Sequence, residues 1–283
     1  GSMKKTERLV IRRFPARPTM EGAGVRLKRV LGYPERELID PFLLFDHFGS
    51  KDPEDYVAGF PWHPHRGIET VTYMLEGRTE HGDSLGNRGV IGPGDVQWMT
   101  AGGGIIHQEM PLVSPGGLRG FQLWVNLPKS AKMMDPRYRD VQSCDIPVAE
   151  TPEARVRVVA GSYAGLRGPV RDVVVEPLYL DVTLGDGGRF ELDTPQGHTF
   201  LAYLFEGRAF FGSAPAEMEA EIGLLFGDGG AFTARAGDGG ARFILFGGRP
   251  LGEPIAWRGP IVMNTREELD QAFRELRDGT FIR

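Results

Sequence analysis

Three histidines and one glutamate are arranged in two short motifs that could bind a metal ion. His63 and His65 alternate in the segment WHPHRGIE, and His107 and Glu109 alternate in the segment GGGIIHQE, about forty residues later. Residues two apart on a β-strand point to the same face of a sheet, so each motif can direct both side chains at one ion. Three imidazole nitrogens and one carboxylate oxygen form a donor set suited to a first-row transition metal.

The residues around the two motifs favour a metal site over isolated histidines. The chain has six histidines, and three of them belong to these motifs. Gly67 and the glycines at 102–104 let the backbone approach a site closely. The apolar neighbours Trp62, Ile68, Ile105 and Ile106 would keep water out. The sequence therefore predicts one metal ion bound by His63, His65, His107 and Glu109.

Composition excludes several other classes of protein. The 283 residues include 33 Lys and Arg against 38 Asp and Glu, a net charge of −5, with no basic run or zinc-finger spacing, so we expect no direct nucleic-acid binding. No apolar stretch approaches the ~20 residues of a membrane span, so we expect no membrane insertion. The single cysteine, Cys144, can form no intrachain disulfide and is interpreted as an ordinary thiol. A reducing cytoplasm is the expected location.

The distribution of glycine and proline predicts an all-β fold. Forty glycines and 21 prolines are spread along the chain as turn signals rather than collected in one tract. Between them lie short segments rich in β-branched and aromatic residues, such as 70–75, 121–127 and 199–205. Short strands separated by regular turns are typical of an antiparallel β-sandwich, jelly-roll or barrel. No strand–helix–strand alternation is present, which argues against Rossmann and TIM-barrel architectures.

An internal repeat predicts two copies of one barrel. YMLEGR at 73–78 recurs as YLFEGR at 203–208, an offset of 130 positions. At this offset the four ligand positions fall on residues that cannot rebuild the set, namely Asp193, Pro195, Gly237 and Gly239. The predicted domains are a metal-binding barrel (3–132), a linker (133–152), a barrel without metal (153–262), and a C-terminal helix and tail (263–283).

The C-terminal helix is predicted from its end signals. Thr265 and Glu268 have the spacing of a capping box, in which each side chain bonds the backbone of the other. Apolar residues then follow at helical spacing over 269–276, and Gly279 marks the end. The apolar stripe predicts that this short helix packs on the outer surface of the barrels.

Seven segments together resemble the pirin family of the cupin superfamily. They are DPFLLFD (40–46), HPHRG (63–67), ETVTY (69–73), MTAG (99–102), HQE (107–109), GFQLWVNLP (120–128) and VMNT (262–265). The resemblance implies two cupin-type β-barrels (a bicupin), with a metal, usually iron, held in the N-terminal barrel by the residues matching His63, His65, His107 and Glu109. It also implies an empty, diverged C-terminal barrel.

Glu69 is the ambiguous position of the site. In the wider cupin pattern a glutamate four residues after the second histidine binds the metal, and Glu69 shares strand parity with His63 and His65. The resemblance to pirins implies instead that the later glutamate, the one matching Glu109, is the metal ligand. We therefore predict that Glu109 binds the metal and that Glu69 orients a ligand imidazole, a common partner of metal-bound histidines.

The resemblance implies a quercetin 2,3-dioxygenase type of activity, in which a flavonol-like aromatic diol is cleaved with O2. One divalent metal per chain is expected, Fe(II) first, with Mn, Ni, Co, Cu and Zn as alternatives. Glu109 would act as the catalytic general base. The candidates for an aromatic-binding pocket are Trp62, Met74, Trp98, Phe121 and Trp124. Arg66 is the only cation near the motifs, and we interpret it as salt-bridged.

The sequence is compatible with two other functions. The family resemblance also implies an iron-dependent regulator, in which the oxidation state of the metal controls the binding of a protein partner. Other cupin metalloenzyme chemistry is the third reading. The fold is common to all three, so the sequence alone does not choose among them.

Overall fold

The computed structural model describes residues 5–283, which form 24 strands, four short 3-10 helices and one α-helix. The strands of the first half are β1 (Val10–Pro15), β2 (Arg17–Glu21), β3 (Val25–Leu31), β4 (Phe42–Ser50), β5 (Phe60–His65), β6 (Ile68–Glu76), β7 (Arg78–Asp83), β8 (Arg88–Ile91), β9 (Val96–Thr100), β10 (Ile105–Leu112), β11 (Leu118–Asn126) and β12 (Arg137–Val141). The remaining elements are β13 (Val148–Glu150), β14 (Ala154–Ala160), β15 (Ser162–Tyr163), β16 (Leu166–Arg167), β17 (Leu178–Leu184), β18 (Arg189–Asp193), β19 (Thr199–Phe211), β20 (Met218–Glu219), β21 (Ile222–Phe226), β22 (Ala231–Gly248), β23 (Ala256–Arg258), β24 (Ile261–Met263) and α1 (Arg266–Asp278).

The chain divides into two compact units that differ from the predicted domains at both ends. The N-terminal barrel comprises residues 17–143 and 251–283, and the C-terminal barrel comprises residues 5–16 and 144–250. The first strand, β1, pairs with β21 of the C-terminal barrel. The segment after residue 250, including the helix, belongs to the N-terminal barrel. Strand pairing and helix packing are non-local, so spacing along the chain does not reveal which barrel a terminal segment joins.

The N-terminal barrel is built from two main antiparallel sheets. Seven strands follow the order β12-β9-β6-β11-β4-β3-β2, and four follow the order β5-β10-β7-β8. The central strand β6, IETVTYMLE, is rich in β-branched residues and is buried through Met74. Such residues suit a pleated surface that is covered on both faces.

The C-terminal barrel repeats the strand order of the first. Its main sheet runs β1-β21-β19-β22-β17-β14-β13, so that β19 lies between β21 and β22 as β6 lies between β9 and β11. The repeated turns also correspond, because Gly77 and Gly207 both have positive φ, +80° and +74°. The predicted all-β fold with two cupin-type barrels is confirmed.

The interiors of the two barrels differ in chemistry. The core of the C-terminal barrel is apolar and includes a cluster of contacting rings formed by Phe190, Phe211, Phe226, Phe232 and Phe243. Close-packed rings fill the space that a ligand would need. The open interior therefore belongs to the N-terminal barrel.

Helix α1 begins and ends at the predicted signals. The Thr265 side chain accepts from the Glu268 backbone N–H at 3.1 Å, and the Glu268 carboxylate accepts from the Thr265 N–H at 2.9 Å. Gly279 ends the helix with φ +74°. Leu269 and Ala272 pack in an apolar cluster with β24. Within the part of the chain that the structure describes, no helix combines the length and the apolar character needed to cross a membrane.

Candidate metal centre

Antiparallel pairing of β5 with β10 brings the three predicted histidines together. His107 lies opposite His63, and the residue opposite His65 is Ile105. The ring centroids of His63 and His107 are 4.3 Å apart, and those of His65 and His107 are 5.1 Å apart. The nearest ring nitrogens of all three lie within 4.8 Å of one another. Among residues 5–283, this group alone gathers three or more metal-capable side chains so closely.

Backbone carbonyls orient two of the imidazoles. His63 Nδ1 lies 2.7 Å from the carbonyl oxygen of Pro61, and His65 Nδ1 lies 2.9 Å from that of Pro260. A carbonyl oxygen can only accept, so Nδ1 carries the proton in each ring. The Nε2 atoms are then left with free lone pairs, which is the form that binds a metal.

His107 supplies the strongest sign that the group fits a metal. Its side chain is buried, and neither Nδ1 nor Nε2 has a hydrogen-bond partner among the described residues. A buried polar atom without a partner is costly, and coordination to an ion would remove that cost. Burial also lowers the pKa of all three imidazoles, to about 3 for His65. They are therefore neutral near pH 7, as ligands must be.

Glu109 lies beside the three histidines, but its carboxylate oxygens do not come within 4.8 Å of all three ring nitrogens. It follows His107 on the same face of β10, and a shift in the pairing with β5 places it opposite Phe60. Its buried carboxylate lies within hydrogen-bond distance of Thr72 Oγ1, at 3.3 Å, and burial raises its pKa to about 7. The role of Glu109 as fourth ligand stays a prediction.

Glu69 does not make the contact with a histidine that we predicted. At Gly67 (φ +83°) the chain leaves the four-stranded sheet and enters β6 of the seven-stranded sheet. The alternation of side-chain directions along β5 therefore does not continue into β6. Glu69 Oε2 accepts from Trp98 Nε1 at 3.0 Å and from Thr100 Oγ1 at 2.5 Å. Thr72, three residues further along β6, faces the cavity. Glu69 therefore faces the opposite side of that sheet.

The three histidines and Glu109 line a cavity of about 710 Å³ inside the N-terminal barrel. Two of the predicted pocket residues, Trp62 and Trp124, line it, whereas Met74, Trp98 and Phe121 are buried without lining it. The other large apolar lining residues are Val25, Leu27, Tyr33, Leu44, Phe48, Phe60, Leu118 and Trp257. A concave, largely apolar space with a few polar groups is typical of a small-molecule site.

Sequence reasoning missed the polar residues of the cavity wall. Arg29 Nε and Nη2 donate to the two carboxylate oxygens of Asp46, each at 2.8 Å, and Gln122 also lines the cavity. Burial raises the pKa of Asp46 to about 6, against the opposing effect of Arg29. Arg66 is salt-bridged to Glu275, as predicted, and does not line the cavity. The positively charged side chain that lines it is Arg29. In the sequence, the signal for this residue was the position of Arg29 on the apolar face of β3, a strand in which apolar and charged residues alternate.

A buried histidine–carboxylate pair next to the group was also missed. On β7, His81 pairs with Glu109 and Asp83 pairs with His107. His81 Nε2 lies 2.8 Å from Asp83 Oδ2, its ring stacks on Tyr138, and its centroid lies 5.6 Å from that of His107. The alternating H-x-D pattern of these residues was the signal in the sequence.

A buried lysine holds the turn that follows the histidine strand. Lys132 Nζ donates to the carbonyl oxygens of Gly67 and Val262 at 3.0 and 2.8 Å and to Asn126 Oδ1 at 2.7 Å. A Cβ atom at Gly67 would lie 1.9 Å from the Val262 oxygen, so only glycine fits there. The close approach of these two backbones fixes the end of β5.

The repeated barrels and the cluster of three histidines define a two-barrel cupin protein with a candidate metal centre in its N-terminal barrel. The family model described as Pirin matches residues 24–125, and the model described as Pirin C-terminal cupin domain matches residues 179–282. The chain therefore belongs to the pirin family, which confirms the resemblance.

Similar proteins cover nearly the whole chain. A pirin-like protein of Caulobacter vibrioides is 46% identical over 97% of this chain and 99% of its own length. Pirin of Homo sapiens is 40% identical over 98% of this chain and 94% of its own. Among solved structures, quercetin 2,3-dioxygenase from Acinetobacter baumannii is similar with a TM-score of 0.89 and 32% identity, covering 98% of this chain and 99% of that one.

Proposed function

We propose that this protein is a mononuclear metal dioxygenase that cleaves a flavonol-like aromatic compound with O2. The observation that carries the proposal is the convergence of His63, His65 and His107, all neutral, at the wall of a largely apolar cavity, with both nitrogens of His107 buried and without hydrogen-bond partners. The similarity to a solved quercetin 2,3-dioxygenase supports the substrate class.

The three histidines and Glu109 would hold one divalent metal, Fe(II) first, with Mn, Ni, Co, Cu and Zn as alternatives. The bound metal would supply Lewis-acid stabilisation of a substrate oxyanion. The imidazoles would contribute three neutral nitrogens, those of His63 and His65 oriented by their bonds to backbone carbonyls, and Glu109 would contribute the one carboxylate. This donor set fits a first-row transition metal.

Glu109 is also the candidate general base for the substrate hydroxyl. Its carboxylate lies on the cavity wall, 3.3 Å from Thr72 Oγ1. In the absence of metal, burial raises the pKa of this carboxyl to about 7. As a general base the carboxylate would leave the metal, accept the substrate proton and return it later. Trp62 and Trp124 present rings to the same cavity, where they would contact the planar substrate and exclude water.

The test is oxygen consumption with quercetin. Protein loaded anaerobically with ferrous iron would be mixed with quercetin and O2, and oxygen uptake and carbon monoxide release would be followed together. We expect both signals to require the metal and to fall at least about a hundredfold in Glu109→Gln, because the base is lost. His198→Ala, which changes a histidine of the C-terminal barrel, is the matched control and should leave the rate unchanged.

Equal slow oxygen uptake by native, metal-free and Glu109→Gln protein would mean that quercetin oxidises without the enzyme. That result would overturn the dioxygenase proposal. We would then propose the regulatory function, in which a protein partner binds with an affinity that differs between the ferrous and the ferric protein.

A further inference from the structure

A row of polar side chains crosses the cavity wall on four neighbouring strands. Arg29 of β3 pairs with Asp46 of β4, Asp46 pairs with Gln122 of β11, and Gln122 pairs with Thr72 of β6. Directly paired residues on neighbouring strands point to the same face, and all four line the cavity. The row ends at Thr72, whose hydroxyl contacts Glu109.

The hydrogen bonds within the row leave an unused acceptor on Asp46 beside an unused donor on Gln122. Arg29 occupies one position on each oxygen of Asp46, and a carboxylate can accept about four hydrogen bonds. Thr72 Oγ1 lies 3.0 Å from Gln122 Oε1 and 3.3 Å from Glu109 Oε1, and its single hydrogen is donated to one of the two. In either arrangement at least one N–H of the Gln122 amide has no protein acceptor among the described residues. The free capacity at this place is therefore carboxylate lone pairs on Asp46 and an amide hydrogen on Gln122.

The charges of the cavity favour a neutral ligand that donates hydrogen bonds. The cavity lining contains one guanidinium, that of Arg29, and three carboxyl groups, those of Glu21, Asp46 and Glu109. Arg29 is already bonded to Glu21 and to Asp46. Recognition of an anion requires cationic donors that are free to bind it. A hydroxyl group can instead donate to a carboxylate without bringing a second negative charge.

We propose that Asp46 and Gln122 form a subsite for two neighbouring hydroxyl groups on an aromatic ring. One hydroxyl donates to the Asp46 carboxylate, and its neighbour accepts from the Gln122 amide. Asp46 lies two strand spacings from Thr72, roughly 10 Å. The subsite thus binds the ring of the substrate that is remote from Glu109. This inference rests on the proposed flavonol-type function and names its substrate class as flavonols with a vicinal diol on the outer ring.

The test compares three flavonols, galangin, kaempferol and quercetin, which carry none, one and two hydroxyl groups on the outer ring. Their dissociation constants would be measured by calorimetry and by quenching of tryptophan fluorescence, with metal-loaded and with metal-free protein. We expect quercetin to bind about tenfold more tightly than galangin, with kaempferol between them, because hydrogen bonds to a charged acceptor contribute on this scale. The preference should be present in both metal states.

Two variants remove the subsite separately. In Asp46→Asn and in Gln122→Leu, the preference for quercetin over galangin should fall below about threefold. The preference is a ratio measured within one variant, so a partial loss of folded protein cancels. Asp181→Asn is the matched control, because Asp181 also receives Nε and Nη2 of an arginine, Arg242, but in the C-terminal barrel. It should keep the native ratio.

Equal binding of the three flavonols by the native protein, or an unchanged ratio in both variants, would overturn the subsite. Metal-dependent oxygen uptake with galangin and quercetin at equal efficiency would overturn the subsite and leave the proposed dioxygenase in place. Absence of metal-dependent uptake with any flavonol would overturn the proposed function itself.

Discussion

Arg66 and Glu275 form a buried ion pair that joins the strand of the candidate metal ligands to the C-terminal helix. Arg66 Nη1 and Nη2 donate to the two carboxylate oxygens at 3.0 and 3.3 Å, across a separation of 209 residues. Arg66 follows His65 directly, and its Nε donates at 2.6 Å to the carbonyl oxygen of Gly103, in the turn before His107. One guanidinium therefore connects both histidine motifs with the end of the chain.

Breaking this pair should lower the stability of the N-terminal barrel. Glu275→Gln leaves the Arg66 guanidinium, which is 2% exposed, without its counter-charge. We expect the free energy of unfolding to fall by about 3 kcal/mol, measured by urea denaturation. The matched control is Asp270→Asn, which breaks an exposed pair with Arg258 and should cost about 0.5 kcal/mol or less. Equal effects of the two changes would contradict a structural role for the buried pair.

Metal content should depend on the three histidines and on no histidine of the C-terminal barrel. We expect elemental analysis to find about one metal ion per chain in protein loaded with ferrous iron. His63→Ala or His107→Ala should abolish retention on a desalting column, because the remaining ligands hold a divalent ion poorly. His198→Ala should retain the native content. A second ion per chain would contradict the assignment of a single site.

The two glutamates should differ in their effect on the metal. Glu109→Gln removes the one charged donor of the candidate set, so we expect the dissociation constant to rise by at least about tenfold. Glu69→Gln should change it little, because that carboxylate is bonded to Trp98 and Thr100 on the other face of its sheet. Competition with a fluorescent chelator would measure both constants. If Glu69→Gln proves the more damaging change, the ligand assignment is reversed.

The stability of metal-free protein should depend on pH through Glu109. Its pKa is raised by burial from 4.5 to about 7, so the folded state keeps a proton that the unfolded state releases between these values. The stabilising contribution is full below about pH 4.5 and is lost as the pH rises through 7. The unfolding free energy of Glu109→Gln, relative to that of the native protein, should therefore rise by about 3 kcal/mol between pH 4.5 and pH 8.

The measurement for this pH effect is urea unfolding of both proteins with a chelator present. Other titrating groups are common to the two proteins, so their contributions cancel in the difference. A difference in unfolding free energy that stays constant across this pH range would contradict the raised pKa. Adding metal should reverse the order, since the native carboxylate then binds the ion.

The candidate ligands and the fold class could be read from short-range patterns. The alternation of His63 with His65 and of His107 with Glu109 is a property of single strands, as is the capping box of Thr265 in a single helix turn. Such patterns depend on residues a few positions apart, whose relative directions follow from backbone geometry alone. The repeated EGR turns and the glycine-marked strand lengths likewise predicted two barrels of the same type.

Other features were decided only when the strands paired. The direction of Glu69 changed because Gly67 moves the chain from one sheet to another, and parity holds only within a strand. Arg29 reached the cavity through pairing of β3 with β4, and Lys132 and Glu275, from distant parts of the chain, reached the turn that follows β5. Spacing along the chain determined the chemistry that each strand can offer. Strand pairing and buried charges, which come together only in the folded protein, decided which side chains share a cavity. They also decided which barrel each end of the chain joins.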